Sequence, residues 1–155
     1  MTAQESPSPT VSEAEVQEDL LRLEAYRNQL NSALQQHQIL TASRQDHLRA
    51  RESLDGIESA ASDAELLLPL GGEAYVRGSV DRTSPVLIGV GSGVVVEMER
   101  PKVAELISQR VGRIDQAVRD LEAQMTTLDE RIQILTRRLD AIARASSGGP
   151  DVGGH

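Results

Sequence analysis

Few residues in this chain could do chemistry. The run Gly89-Val90-Gly91-Ser92-Gly93 could cradle a phosphate. A P-loop, however, requires G-x-x-x-x-G-K-[ST], and a dinucleotide-binding turn requires G-x-G-x-x-G opening a helix. Neither pattern is present, and Val94-Val95-Val96 continues the run as a strand, so a hairpin turn is the reading. His37 and His47 lie on one expected helix nearly three turns apart, too far to ligate one metal ion. Ser53 and Asp55 have no partner pattern that would make a nucleophile. The carboxylates are spread along the chain rather than clustered, which describes a solvated face. With no cysteine, disulfides, thiolate zinc sites and thiol catalysis are excluded. The expectation is a protein without catalytic residues, metal or cofactor, and not an enzyme.

What the chain has instead is pattern. From Ile107 to Ile142, alternating steps of four and three land on Ile107, Val111, Ile114, Val118, Leu121, Met125, Leu128, Ile132, Leu135, Leu139 and Ile142. All are apolar. A 3.5-residue repeat places them in one narrow stripe, which demands a partner helix. Pro101 suits the first turn of this helix, where its missing N–H costs nothing. The helix is expected over 100–145, roughly 65 Å at 1.5 Å per residue.

A second long helix is expected over 11–65. Ser12-Glu13-Ala14-Glu15 is a capping box, flanked by Val11 and Val16 at staple spacing. Its apolar stripe runs Val16, Leu20, Leu23, Arg27, Leu30, Leu34, then degrades through His37, Thr41 and Arg44 before Leu48 and Arg51. A parallel line through Tyr26, Leu40, Leu54 and Ile57 collects other apolar residues. The seam is therefore expected to drift, with a bend or break near Gly56.

Between the helices, 66–99 changes character. Four short β segments are expected: Leu66-Leu70, Ala74-Val80, Pro85-Val90 and Val94-Met98. Gly71-Gly72 and Gly91-Ser92-Gly93 suit tight turns, and Asp81-Arg82-Thr83-Ser84 a longer connection. Two successive β-hairpins follow. The fold expected is mainly α: an antiparallel two-helix coiled coil joined by two β-hairpins.

The chain has 155 residues and no Phe or Trp, and Tyr26 and Tyr75 are its only aromatics. That argues against a thick core. Strands left uncovered by so thin a molecule predict an oligomer. The formal net charge of -8 disfavours nucleic acid and anionic membranes as partners. Lys102 is the only lysine, which fits a salt-adapted cytoplasm or a GC-rich genome equally. Met1 to Thr10 reads as a disordered leader without an apolar signal core, and 146–155 as a flexible glycine-rich tail. No run reaches the roughly 18 apolar residues of a membrane span, so a cytoplasmic protein is expected.

The β segment carries a resemblance. Leu68-Pro69-Leu70-Gly71-Gly72-Glu73-Ala74-Tyr75-Val76-Arg77-Gly78, then Val86-Leu87-Ile88-Gly89-Val90-Gly91-Ser92-Gly93-Val94-Val95-Val96-Glu97, resembles the α subunit of archaeal prefoldin. The flanking helices extend the resemblance over nearly the whole chain. Val94 departs from it, standing where the family often has an aromatic residue. The resemblance implies a hexamer of two α and four β subunits, whose hairpins build a double β-barrel platform. Val76, Val86, Leu87, Ile88, Val90, Val94, Val95 and Val96 would supply the assembly strands. It further implies ATP-independent capture of unfolded proteins at the coiled-coil tips and their transfer to a group II chaperonin. The tip residues would be Val16, Leu20, Leu23, Ile132, Leu135, Leu139 and Ile142, with Ile107 to Leu128 as the seam behind them. A coiled-coil adaptor for one folded partner is the alternative, and a nucleic-acid-binding arm is disfavoured by the charge.

Overall fold

The computed structural model describes residues 11–62 and 64–148. The expected leader, Met1 to Thr10, and the tail beyond residue 148 lie outside the described residues. The element order is α1 (Glu13–Ser59), β1 (Glu65–Gly71), β2 (Ala74–Ser79), β3 (Val86–Gly91), β4 (Val94–Met98) and α2 (Arg100–Ser147). Two long helices joined by two hairpins is the expected class.

The start of α1 is the capping box read from sequence. The Ser12 amide donates to Glu15 Oε2 at 2.9 Å, and the Glu15 amide donates to Ser12 Oγ at 3.3 Å. Two donors left without intrahelical partners are thereby satisfied reciprocally. α1 then runs unbroken through Gly56 and stops at Ser59, short of the expected Glu65. Its last turn carries no basic residue, while Asp55 and Glu58 put negative charge at the negative end of the helix dipole. The Ser59 hydroxyl also donates to the Asp55 and Gly56 carbonyls. α2 opens one residue before Pro101 and continues to Ser147, slightly beyond the expected Ala145.

The chain divides into two compact units, one of residues Ile39–Val118 and one of the described residues up to Gln38 with those from Arg119. In the first unit, each hairpin is its own two-stranded antiparallel sheet. The two are built alike. β1 pairs with β2 with a register shift between Pro69 and Gly71, and β3 pairs with β4 with a shift between Gly89 and Gly91. Each turn has positive φ at both central residues: Gly72 at 55° and Glu73 at 63°, then Ser92 at 50° and Gly93 at 75°. That geometry matches the right-handed twist of paired strands. Gly78 lets the Leu68 side chain cross β2, since a Cβ there would lie 3.0 Å from Leu68 Cδ1.

The core of this unit lies where β3 and β4 meet the helices. Ile88, Val103 and Ile107 are buried together, with Leu54, Val86, Val96, Met98, Leu106 and Val111 packed around them. Arg110 reaches the Gly89 carbonyl and fastens the second hairpin to α2. The connection between hairpins is held by Arg100, which donates to the carbonyls of Asp81 and Ser84. The amide and hydroxyl of Thr83 both donate to the Asp81 carboxylate, the amide bond chief among the causes that hold its pKa below the ordinary range.

The seam of α1 corrects the sequence reading. Buried or half-buried positions include Val16, Asp19, Leu23, Tyr26, Leu30, Ala33, His37, Leu40, Arg44, His47, Arg51 and Leu54, in steps of three and four, with Ser43 and Leu48 half-buried beside that line and Ile57 half-buried after it. The stripe does not drift. It keeps a 3.5-residue period and accepts polar residues, whereas Leu20 and Leu34 face solvent. The polar members have partners. His37 Nε2 lies 3.1 Å from Glu122, Arg44 pairs with Asp115, and Arg51 bonds Ser108 Oγ and the Ala104 carbonyl.

Candidate functional site

In the unit that holds the start of α1 and the end of α2, the seam mixes apolar and charged contacts. Leu23 is buried, and Val16, Ile132, Leu135, Leu139 and Ile142 are half-buried. Leu20 is 50% exposed. Between Val16 and Leu23 sits Asp19, a carboxylate only 3% exposed, whose Oδ2 lies 3.1 Å from Arg138 Nε. The distance is that of an ion pair, but the geometry does not align a hydrogen bond, and Oδ2 is buried without one. Further along, the Arg131 guanidinium stands 5.6 Å from the centre of the Tyr26 ring. A groove of about 780 Å³ beside these residues is lined by Asn28, Gln29, Gln36, Gln124 and Arg131, among others. It offers amides and a guanidinium but no acid–base pair.

Sequence reading missed two apolar residues here. Leu21 is 68% and Ile134 58% exposed. Neither lies on a heptad stripe, and that position was itself the available signal: a large aliphatic residue off the seam of a two-helix coil has no intramolecular partner. With Leu20, they add water-facing apolar surface to the half-buried seam.

In the other unit, the strand residues divide into two groups. Ile88 is buried on Val103 and Ile107 of the same chain, and Val86 and Val96 are half-buried beside it. Leu87, Val95, Val90, Val94 and Val76 are exposed. So are Leu67, Leu68, Leu70 and Tyr75 of the first hairpin, which the sequence reading did not place among the assembly residues. Of the expected seam residues on α2, Ile107, Val111, Ile114 and Val118 lie in this unit, Ile107 buried and the others half-buried; Leu121, Met125 and Leu128 belong to the chain-end unit, Leu121 buried and the others half-buried. An apolar hollow of about 400 Å³ between helices and β3 includes Leu54, Ile57, Val86 and Ile107 in its lining.

One carboxylate in the chain-end unit is electrostatically distinct. The Ser12 backbone amide, and then its hydroxyl, hold the Glu15 carboxyl below the usual glutamate range, with a smaller contribution from the Arg138 charge. The acid serves the helix cap. Among the described residues, no group of His, Asp and Glu could hold a metal ion, and no helix is long and apolar enough to cross a membrane.

The comparisons with known proteins agree with this architecture. The family model for prefoldin subunits matches residues 15–145. The prefoldin subunit alpha of Methanocorpusculum labreanum is 26% identical over 134 residues, covering 84% of this chain and 91% of that protein. That of Methanopyrus kandleri is 30% identical over 110 residues, covering 68% and 70%. Among solved structures, filamentous prefoldin from Methanocaldococcus jannaschii superposes with a TM-score of 0.63 at 20% identity, over 75% of this chain and 96% of that one. The prefoldin beta subunit from Thermococcus strain KS-1 gives 0.56 at 21% identity, over 91% and 99%. At such identities the structural likeness speaks for the fold; the family match spans the capped helix, both hairpins and the apolar repeat of α2. This chain therefore belongs to the prefoldin family of chaperone subunits, and to its alpha type.

Proposed function

We propose that this chain is the α subunit of an ATP-independent holdase. It binds unfolded proteins through the ends of its two helices and hands them to a group II chaperonin in the cytoplasm. The observation that carries this reading is the coexistence, in one small unit, of a half-buried apolar seam with water-facing aliphatic side chains, of which Leu20, Leu21 and Ile134 are the most exposed. A folded partner with fixed shape would call for a contiguous, complementary patch. Scattered aliphatic residues suit weak contacts with exposed apolar segments, and several arms acting on one client turn weak contacts into useful affinity. Release then needs no energy source.

Assembly with β subunits, in the ratio of two α to four β, is part of the same proposal. The exposed strand residues Leu87, Val90, Val94, Val95 and Val76 and the unpaired strand edges support it. Open edges with apolar faces are a liability in a lone chain and an interface in an oligomer.

The test removes the apolar ends without touching the hairpins. Leu135→Ser with Leu139→Ser, and separately Leu20→Ser with Leu21→Ser, are expected to weaken suppression of aggregation of a denatured reference protein. Assembly measured by light scattering should be unchanged. Full suppression by both double variants would overturn the client site. Selective binding of one folded protein, without general suppression, would mark an adaptor instead.

A further inference from the structure

Asp19 has no role in the contacts so far assigned to the client site, yet it is the only buried charged residue among those described. A carboxylate on a coiled-coil seam is costly. Its desolvation must be offset by a partner and by full use of its acceptor oxygens. Here the offset is incomplete. Arg138 lies within ion-pair distance, but Oδ2 is buried without an aligned hydrogen bond. The two partners are also unlike: the Asp19 side chain is 4% exposed and that of Arg138 49%, so water already reaches one half of the pair. Immediate seam neighbours of Asp19 are Val16 and Leu23 on α1, and Leu135 and Leu139 flank Arg138 on α2. Opening this end of the seam would hydrate the carboxylate and expose those apolar residues in the same motion.

We propose that Asp19 and Arg138 form an electrostatic latch that holds the start of α1 against the end of α2 while keeping that closure close to balance with opening, and so regulates how much of the client-binding seam is presented. The claim about regulation rests on the holdase reading; the latch itself does not. The closed state gains the ion pair and loses the hydration of Asp19. An aliphatic residue at that position would gain seam burial without the desolvation cost, and closure would tighten. Loss of Arg138 would leave the carboxylate buried without its countercharge, and closure would loosen. Opposite effects from the two members of one pair distinguish a poised latch from a bridge that only stabilises.

The experiment is hydrogen exchange of the full-length chain, read by mass spectrometry at amides of 16–23 and 135–142, with amides near Val103 and Ile107 as the internal folding reference. Arg138→Gln is expected to speed exchange at the helix ends by about tenfold or more, since stranding a buried charge is strongly unfavourable. Asp19→Leu is expected to slow it. Unchanged exchange in Arg138→Gln, or faster exchange in Asp19→Leu, would overturn the latch. Aggregation suppression is measured on the same samples and should rise for Arg138→Gln and fall for Asp19→Leu. Exchange that shifts in both directions while suppression stays constant would leave the latch standing and overturn the client site at the helix ends.

Discussion

At the scale of single residues, the start of α1 rests on two reciprocal hydrogen bonds between Ser12 and Glu15. Ser12 and Glu15 are spaced for a reciprocal cap, and the structure forms both bonds. The cap makes a pH-dependent contribution whose sign follows from its cause. Accepting the Ser12 amide and hydroxyl lowers the Glu15 pKa on folding. The bond is therefore fully stabilising above the ordinary glutamate pKa and is lost as pH falls through the depressed folded value. Amide protection at the first turn of α1 should decline on acidification in the wild type and change little with pH in Glu15→Gln, which keeps an acceptor but cannot titrate. Ser12→Ala should loosen the same turn by about 1 kcal/mol at neutral pH. Equal acid sensitivity in Glu15→Gln and wild type would place the titrating group elsewhere. The hairpin turns were legible only in part. Glycines marked their location, but Glu73 and Ser92 also take positive φ. Nothing in those side chains announces it; the demand comes from a two-residue turn joining two twisted strands.

At the scale of elements, the two helices were unequally readable for one physical reason. The stripe of α2 is wholly apolar, so hydrophobicity traces it. The stripe of α1 has the same period, but Asp19, His37, Arg44, His47 and Arg51 occupy places on it, and a search for apolar residues steps sideways onto Leu20 and Leu34. Polar residues are tolerated there because the seam of a two-helix coil is shallow. Arginine can lay its aliphatic stem along the seam and send its guanidinium to Asp115 or Ser108. Such residues fix register and orientation while costing stability. His37 tests the trade. Its side chain is 29% exposed, and its partner Glu122 is 56% exposed, so the bond between them is weakly stabilising. His37→Leu should raise the thermal unfolding midpoint, with roughly 1 kcal/mol gained from apolar burial. A lower midpoint would show that the Glu122 contact outweighs that burial. The early stop of α1 at Ser59 has a local cause: acidic side chains near the helix end, with no basic residue in the last turn, oppose continuation.

At the scale of the whole molecule, the hairpins are two copies of one device put to different uses. Both have the same turn geometry and a register shift at the matching glycine. The second turns Ile88 and Val96 onto the base of the helices. The corresponding residues of the first, Leu68 and Val76, are 48% and 44% exposed. A face that is core in one copy and open in the other has no partner among the described residues, and this argues for oligomerisation more strongly than composition did. It also decides which substitution tests assembly. Ile88→Asp would place a charge in the chain's own core and confound folding with association. Leu87 and Val95, 70% and 59% exposed, can carry a charge without disturbing that core. Native mass spectrometry of the chain mixed with a prefoldin β subunit from the same cell should show a hexamer containing two copies of this chain. Leu87→Asp with Val95→Asp should abolish that hexamer while leaving the circular dichroism of the isolated chain unchanged. A hexamer that survives the double substitution would move the interface to the first hairpin, where Leu67, Leu70 and Tyr75 present the other large apolar surface. A wild-type chain that stays monomeric or homodimeric beside the β subunit would overturn the assembly proposal, because the open strand faces would then require a different partner.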